Sequence, residues 1–213
     1  MFDTDTGVSS LVLKEIPYKQ VAYVTVRSVQ PGGLGEHLKE CAAFCRMCGA
    51  EAVFAAGSAR LEAYPLHTAV LEMRGTAKSD PEKLRCLFPV TEATVERWRG
   101  VYNERMRPVD NTATLEKRDE EKILASGGAY FVHDSGHLLG IGWLEEDRLL
   151  AVAAAEKGAG EAVMHTLMSL AEGASLVLEV ASTNHRAIRL YERLGFLKTG
   201  EIARWYDVTG LLN

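Results

Sequence analysis

Residues 178–208, LEVASTNHRAIRLYERLGFLKTGEIARWYDV, constrain the fold more tightly than any other stretch of the chain. They read as an apolar strand, a helix and a return strand. Ser182, Thr183 and Asn184 are helix-cap residue types, and Gly195 is a stop. Ala187, Ile188, Tyr191 and Leu194 recur at helical spacing, while His185, Arg186, Arg189, Glu192 and Arg193 fall largely outside that stripe. Tyr191 therefore points into protein, and only its hydroxyl needs a partner. Leu176 to Val180 is apolar except for Glu179, as suits a strand covered on both faces. Such a site would desolvate the carboxylate and raise its pKa. The plainer alternative is a strand-end glutamate that reaches water or pairs with an arginine.

Upstream, RLLAVAAA at Arg148 to Ala155 is strand-like, and EKGAGEAVMHTLMSLAEG follows at once. Lys157-Gly158-Ala159-Gly160-Glu161-Ala162 forms a glycine-containing turn from strand to helix. Ala159, Ala162, Val163, Thr166, Leu167, Leu170 and Ala171 mark the buried face of that helix. Free N–H groups at a helix start, with the positive end of its dipole, bind phosphate groups. Glycine lets the backbone come close to the anion. The turn lacks the lysine–serine pair of a nucleoside triphosphate loop and the third glycine of a dinucleotide fingerprint.

Together these segments resemble the GNAT superfamily of N-acetyltransferases. Val152 and the hexad from Lys157 to Ala162 match its [Gln/Arg]-x-x-Gly-x-[Gly/Ala] turn, with Lys157 at the glutamine or arginine position and Ala154 where proline is common. Asn184 and the run from Ala187 to Phe196 match its second block. The resemblance implies acetyl-CoA as co-substrate, held by Ala151, Val152, Ala153, Lys157, Gly158, Ala159, Gly160, Glu161, Ala162, Asn184 and Tyr191. Within the superfamily, the Leu-Glu-Val strand is similar to that of enzymes acetylating the N-terminal alanine of a ribosomal protein. That likeness implies Glu179 as general base and Tyr191 as general acid.

The resemblance also implies the fold: an α/β (α+β) domain with a mixed, mostly antiparallel twisted sheet and flanking helices. Arg85 to Thr91 reads as its first strand, Glu92 to Arg107 and Leu115 to Ser126 as helices. Ala129 to His133 and His137 to Leu144 read as a hairpin turning at Asp134-Ser135-Gly136. We expect this domain over 81–213. Residues 1–80 form a smaller α/β region, with strands at Val21 to Val26, Ala52 to Ala55 and Ala69 to Met73 and a helix at Leu34 to Cys48. RGTAKSDPEK reads as the linker. PGGLGEHL echoes EKGAGEAV, which reads either as a degenerate half-copy of the second region, without its tyrosine block, or as chance similarity between two β-α-β units, since glycine turns before helices are common.

Amide formation requires a neutral acceptor nitrogen. A lysine-type amine is about 1 part in 2,500 neutral at pH 7, an α-amino group roughly one part in seven. A glutamate can take the proton, directly or through water. In the superfamily the acceptor lies between the first two helices, the hairpin and the last strand. On that plan Tyr102, Glu104, Trp143 and Tyr206 line its site. A small-molecule or peptide amine is the expected partner, and the protein a monomer or homodimer. Two other readings stay open. One is a non-catalytic acyl-CoA sensor that uses Tyr191 only structurally. The other is an iron–sulfur or zinc protein built on Cys41, Cys45 and Cys48, whose C-x3-C-x2-C spacing suits a cluster. Those cysteines also fit one stripe of a helix with Leu38, where a free cysteine acts as a small hydrophobe; we therefore expect no metal.

A net charge of −5 provides no global basic field for nucleic acid. No stretch approaches the ~18 apolar residues of a membrane span. The acidic, polar start MFDTDTGVSS is unlike a secretory signal. Four cysteines, three on one helix, do not make a disulfide framework, which points to a reducing cytoplasm.

Overall fold

The computed structural model describes residues 1–212. In chain order its strands and helices are β1 (Phe2–Thr4), β2 (Gly7–Val12), α1 (Ile16–Lys19), β3 (Val21–Val29), α2 (Leu34–Met47), β4 (Ala52–Ala56), β5 (Leu66–Thr76), β6 (Cys86–Pro89), α3 (Val95–Met106), α4 (Glu120–Ser126), β7 (Ala129–Asp134), β8 (His137–Glu145), β9 (Arg148–Ala154), α5 (Gly160–Met168), β10 (Ser175–Ala181), α6 (His185–Arg193) and β11 (Leu197–Asp207). The chain divides into two compact units, 1–70 with 201–213, and 71–200. The division falls inside β5 and inside β11, so the last residues go with the first unit. The expected split at 80/81 is thus not where the units part.

In the first unit the strand order is β1-β2-β3-β4-β11. β3 and β4 are parallel, from Val21 opposite Ala52 to Thr25 opposite Ala56, and α2 crosses between them. Ala22, Val24, Val26, Val53 and Ala55 share a core with Leu38, Cys41 and Cys45 of α2. Cys41 and Cys45 are buried, whereas Cys48, at the end of the helix, is exposed. Three cysteines therefore do not share one environment, and among the described residues no group of three His, Cys, Asp or Glu is placed to hold a metal ion. The hairpin β1–β2 went unread in the sequence because its first strand is only three residues long and Ser9-Ser10 interrupt the apolar residues of the second.

The second unit is a mixed, mostly antiparallel sheet ordered β5-β10-β9-β8-β7-β6. β6 through β9 pair antiparallel with successive neighbours. α3 and α4 pack on one face, where Trp98 and Ile123 meet Phe131, Ile141, Trp143, Ala151 and Ala153. α5 covers the other. Its seat is made by Gly142, where an added Cβ would lie 2.2 Å from Leu167 Cδ1. Side chains alternate along a strand, so glycines on one face of β8 leave room for a helix without disturbing the opposite face.

The polar stretch read as a linker is not one. β5 runs on to Thr76, and residues 77–85 are strapped along α5 and its C-terminal end. Ala77 N–H donates to Ala174 O and Gly173 N–H to Ala77 O, both at 2.8 Å. The amides of Ser79, Asp80 and Arg85 donate to Glu172, His165 Nδ1 and Thr166 Oγ1. The backbone amides of the segment satisfy polar side chains of the helix and of the turn after it, and a helix strapped on its far side is buried nearly all round. Every residue from Val163 to Met168 is buried, while Leu170, expected on the buried face, is exposed. Among the described residues no helix is long and apolar enough to cross a membrane.

Candidate active site

β9 and β10 generate the site by failing to stay paired. Their parallel ladder runs through Arg148–Val177 and Leu149–Leu178 and then stops. Beyond that point the strands separate, and Leu150 to Ala154 on one side and Glu179 to Ala181 on the other line a cleft of about 630 Å³. The turn after β9, the start of α5, one face of α6 and the end of α3 complete it. That volume suits a sizeable small molecule.

The turn supplies an anion cradle. Gly158 has φ +94°, a conformation that L side chains rarely adopt, and an added Cβ there would meet open space. Among the described residues, Val163 N–H is the first α5 amide with a backbone acceptor, Ala159 O at 3.0 Å. The amides of Gly158, Gly160, Glu161 and Ala162 have none, as expected of the first turn of a helix. Lys157, Arg186, Arg189 and Arg193 also line the cleft, with Glu156 and Glu161 as the nearby carboxylates. Donors of this kind suit a diphosphate.

Tyr191 lies on the α6 face that lines the cleft. It is only 8% exposed, with Phe196 against its ring at 6.1 Å between centroids. No protein group among the described residues bonds its hydroxyl. Burial pushes the phenol up to about 12, so the group stays protonated at neutral pH. Asn184 also lines the cleft, and its side chain caps α6 by accepting from Ala187 N–H at 3.2 Å. The turn it sits in is tied to the loop after α3 by Thr183 Oγ1, which donates to Asp110 Oδ2 at 2.6 Å.

Glu179 lines the cleft but is not desolvated. Its side chain is 45% exposed and accepts from Arg148 Nη2 at 2.6 Å. The expected burial is corrected here: the residue alternates outward on a strand that has left its ladder, so water and an arginine reach it. Of the four residues expected around the acceptor, only Tyr102 reaches the cleft. Glu104 is 70% exposed and pairs with Arg105. Trp143 is buried in the α3/α4 core, with its Nε1–H donating to Ser126 Oγ. Tyr206 is buried in the core of the first unit. Sequence reading missed Arg105, Met106, Val109, Thr112 and Leu150, which line the cleft beside Tyr102. The i, i+4 spacing of Tyr102 and Met106 on one face of α3 was the signal available.

The arrangement can hold an elongated anionic ligand against a helix start and present a buried phenol to it. Among curated proteins none matches this chain. Solved structures share its fold. One is a functionally unknown conserved protein from Staphylococcus epidermidis, with TM-score 0.58, 10% identity, and coverage of 97% of this chain and 92% of that one. A putative acetyltransferase from Pyrococcus horikoshii has TM-score 0.54 and 12% identity, covering 94% and 68%. A GCN5-related N-acetyltransferase from Sphaerobacter thermophilus has TM-score 0.52 and 18% identity, covering 93% and 76%. The model of the acetyltransferase (GNAT) family matches residues 82–196, which contain the splayed strands, the amide cradle and Tyr191. The chain belongs to the GNAT acetyltransferase family, whose co-substrate is acetyl-CoA.

Proposed function

We propose that this protein is an N-acetyltransferase acting on a primary amine, either a small molecule or a protein N-terminus. The observation that carries the reading is Tyr191: a buried, protonated phenol without a protein partner, in the cleft that also holds the free amides of the α5 turn. Bound acetyl-CoA supplies the acetyl group as a thioester. The amides of Gly158, Gly160, Glu161 and Ala162 hold its diphosphate, and the open edge of β9 near Val152 offers N–H donors to the carbonyl oxygen.

Tyr191 holds a proton for the sulfur that departs. A phenol near 12 and a thiol near 8.5 differ by about 3.5 pK units, or ~5 kcal/mol against complete transfer. The phenol therefore acts first as a hydrogen-bond donor and gives up its proton late, once sulfur carries full charge. Glu179, reached through water at the cleft rim, takes the proton from the acceptor nitrogen. Making an α-amino group neutral costs only ~1 kcal/mol at pH 7 against ~4–5 for a lysine-type amine, so this exposed base suits the former. The decisive experiment follows thiol release from acetyl-CoA with a panel of amines and peptides.

The Arg148–Glu179 pair supports a second reading, in which the cleft binds an acyl-CoA without turning it over. Tight acetyl-CoA binding with no thiol release across the panel would establish that reading instead. In both, the first unit is a degenerate half-copy of the second. It repeats a parallel strand–helix–strand with glycines at 32 and 33 before the helix.

A further inference from the structure

Glu161 occupies an awkward place. It is in the first turn of α5, between the free amides of Gly160 and Ala162, and it is one of the residues that line the cleft. A carboxylate in a first helical turn is favoured by the helix dipole and is the kind of group that bonds free helix-start amides itself. Left alone, it would repel a diphosphate and compete for its donors.

The carboxylate is instead held elsewhere. Lys83 Nζ donates to Glu161 Oε1 at 2.6 Å and also lies 3.8 Å from Asp80. Lys83 belongs to the strap at 77–85, whose amides anchor to His165 and Thr166 on the same helix. His165 Nδ1 accepts from Asp80 N–H, so the ring proton sits on Nε2, 4.0 Å from the same oxygen of Glu161. The Lys83 hydrogen bond first, and the charge of Arg193 on α6 to a lesser extent, keep the carboxyl below the usual range.

We propose that Lys83 is a positioning residue for the cofactor: by binding the Glu161 carboxylate it keeps that group off the α5 amides and leaves them open to the diphosphate of CoA. This rests on the placement of acetyl-CoA in the cleft described above. Lys83 itself lies outside the cleft lining, so its effect passes through Glu161 and not through contact with the ligand.

The experiment is a charge-compensation cycle on the full chain, with CoA binding measured by calorimetry. Lys83→Ala should weaken CoA binding about two- to fivefold, the range for a single charge near a helix end or in an exposed pair. Glu161→Gln should tighten it about two- to threefold by the same argument. The double variant should return to within about twofold of wild type, because the harm in Lys83→Ala comes from the freed carboxylate. Binding of S-acetylpantetheine, which has no diphosphate, should be indifferent to all three changes. A Lys83→Ala variant that binds CoA normally, or a double variant as weak as the single, overturns the proposal. Equal weakening toward S-acetylpantetheine overturns it too, since that marks general damage to the strap. Absence of CoA binding in the wild type would instead remove the cofactor from this cleft, and the proposal with it.

Discussion

Replacing Tyr191 by Phe isolates one atom of the proposed mechanism. The ring stays, with its contact to Phe196. No protein group bonds the hydroxyl among the described residues, so its removal strands no buried donor or acceptor. Folding stability should therefore stay within about 0.5 kcal/mol of wild type, the usual range for a change that breaks no contact. Affinity for acetyl-CoA should hold within about twofold, since the proposed seat of the diphosphate is made of backbone amides. Turnover should fall about 10²–10⁴-fold, the range for a positioned proton donor, equal to ~2.7–5.5 kcal/mol in the barrier. The wild-type pH profile adds a second check. With the phenol near 12, about one part in a thousand is ionised at pH 9, so ionisation of Tyr191 should not lower the rate below about pH 10. Thermal melting, calorimetry with acetyl-CoA and steady-state thiol release cover the three quantities. A Tyr191→Phe enzyme within threefold of wild-type turnover would refute the role assigned to the hydroxyl.

The role of Glu179 is tested by its partner. Arg148→Ala should change stability by less than about 1 kcal/mol, because the pair is half exposed. It should keep or raise turnover by freeing the carboxylate, while Glu179→Gln lowers it; a loss in Arg148→Ala as large as in Glu179→Gln would count against a base at this position. Gly142→Ala should destabilise by about 1–3 kcal/mol, since the new Cβ drives into Leu167; an unchanged melting temperature would show that α5 is not seated as described. Burial lowers the His37 pKa, partly opposed by Glu40, and both ring nitrogens bond hydroxyls, Thr4 and Ser9, at 2.7 Å. The unfolded chain then binds the extra proton first, so His37 contributes stability above about pH 6.5 that is lost as pH falls toward its folded pKa. Melting at pH 7.5 and pH 5.5 should show that loss, and His37→Gln should reduce it. The Cys41 and Cys45 thiols are buried and raised to about 11 and 12. Native protein should therefore show two fast thiols, Cys48 and Cys86, with a thiol reagent, and four only after denaturation; four fast thiols would contradict the packing of α2.

Much of the architecture was legible because it depends on local period and local backbone chemistry. The apolar stripe of α6, the cap at Asn184, the stop at Gly195 and the glycine turn at 157–162 are properties of a few neighbouring residues. Steric limits and hydrogen bonding act on them before any distant contact forms. The order of elements from β6 to β11 followed, with boundaries shifted by a few residues. Positions that depend on alternation in a broken ladder did not. Glu179 reads as buried in its own strand and is exposed, because the strand beside it turns away after Leu149.

What the tertiary structure alone decided is which residues meet. A strap that looks like a linker holds α5 because its amides reach side chains some 80 positions away, a pairing without local signature. Trp143 and Tyr206 belong to cores and not to the cleft, since the face a side chain takes is set by the partner strand and helix. The site motif was written in consecutive residues because a helix start binds anions through its own backbone. The far wall of the cleft is assembled from distant segments, and only their packing places Arg105, Met106 and Leu150 together there.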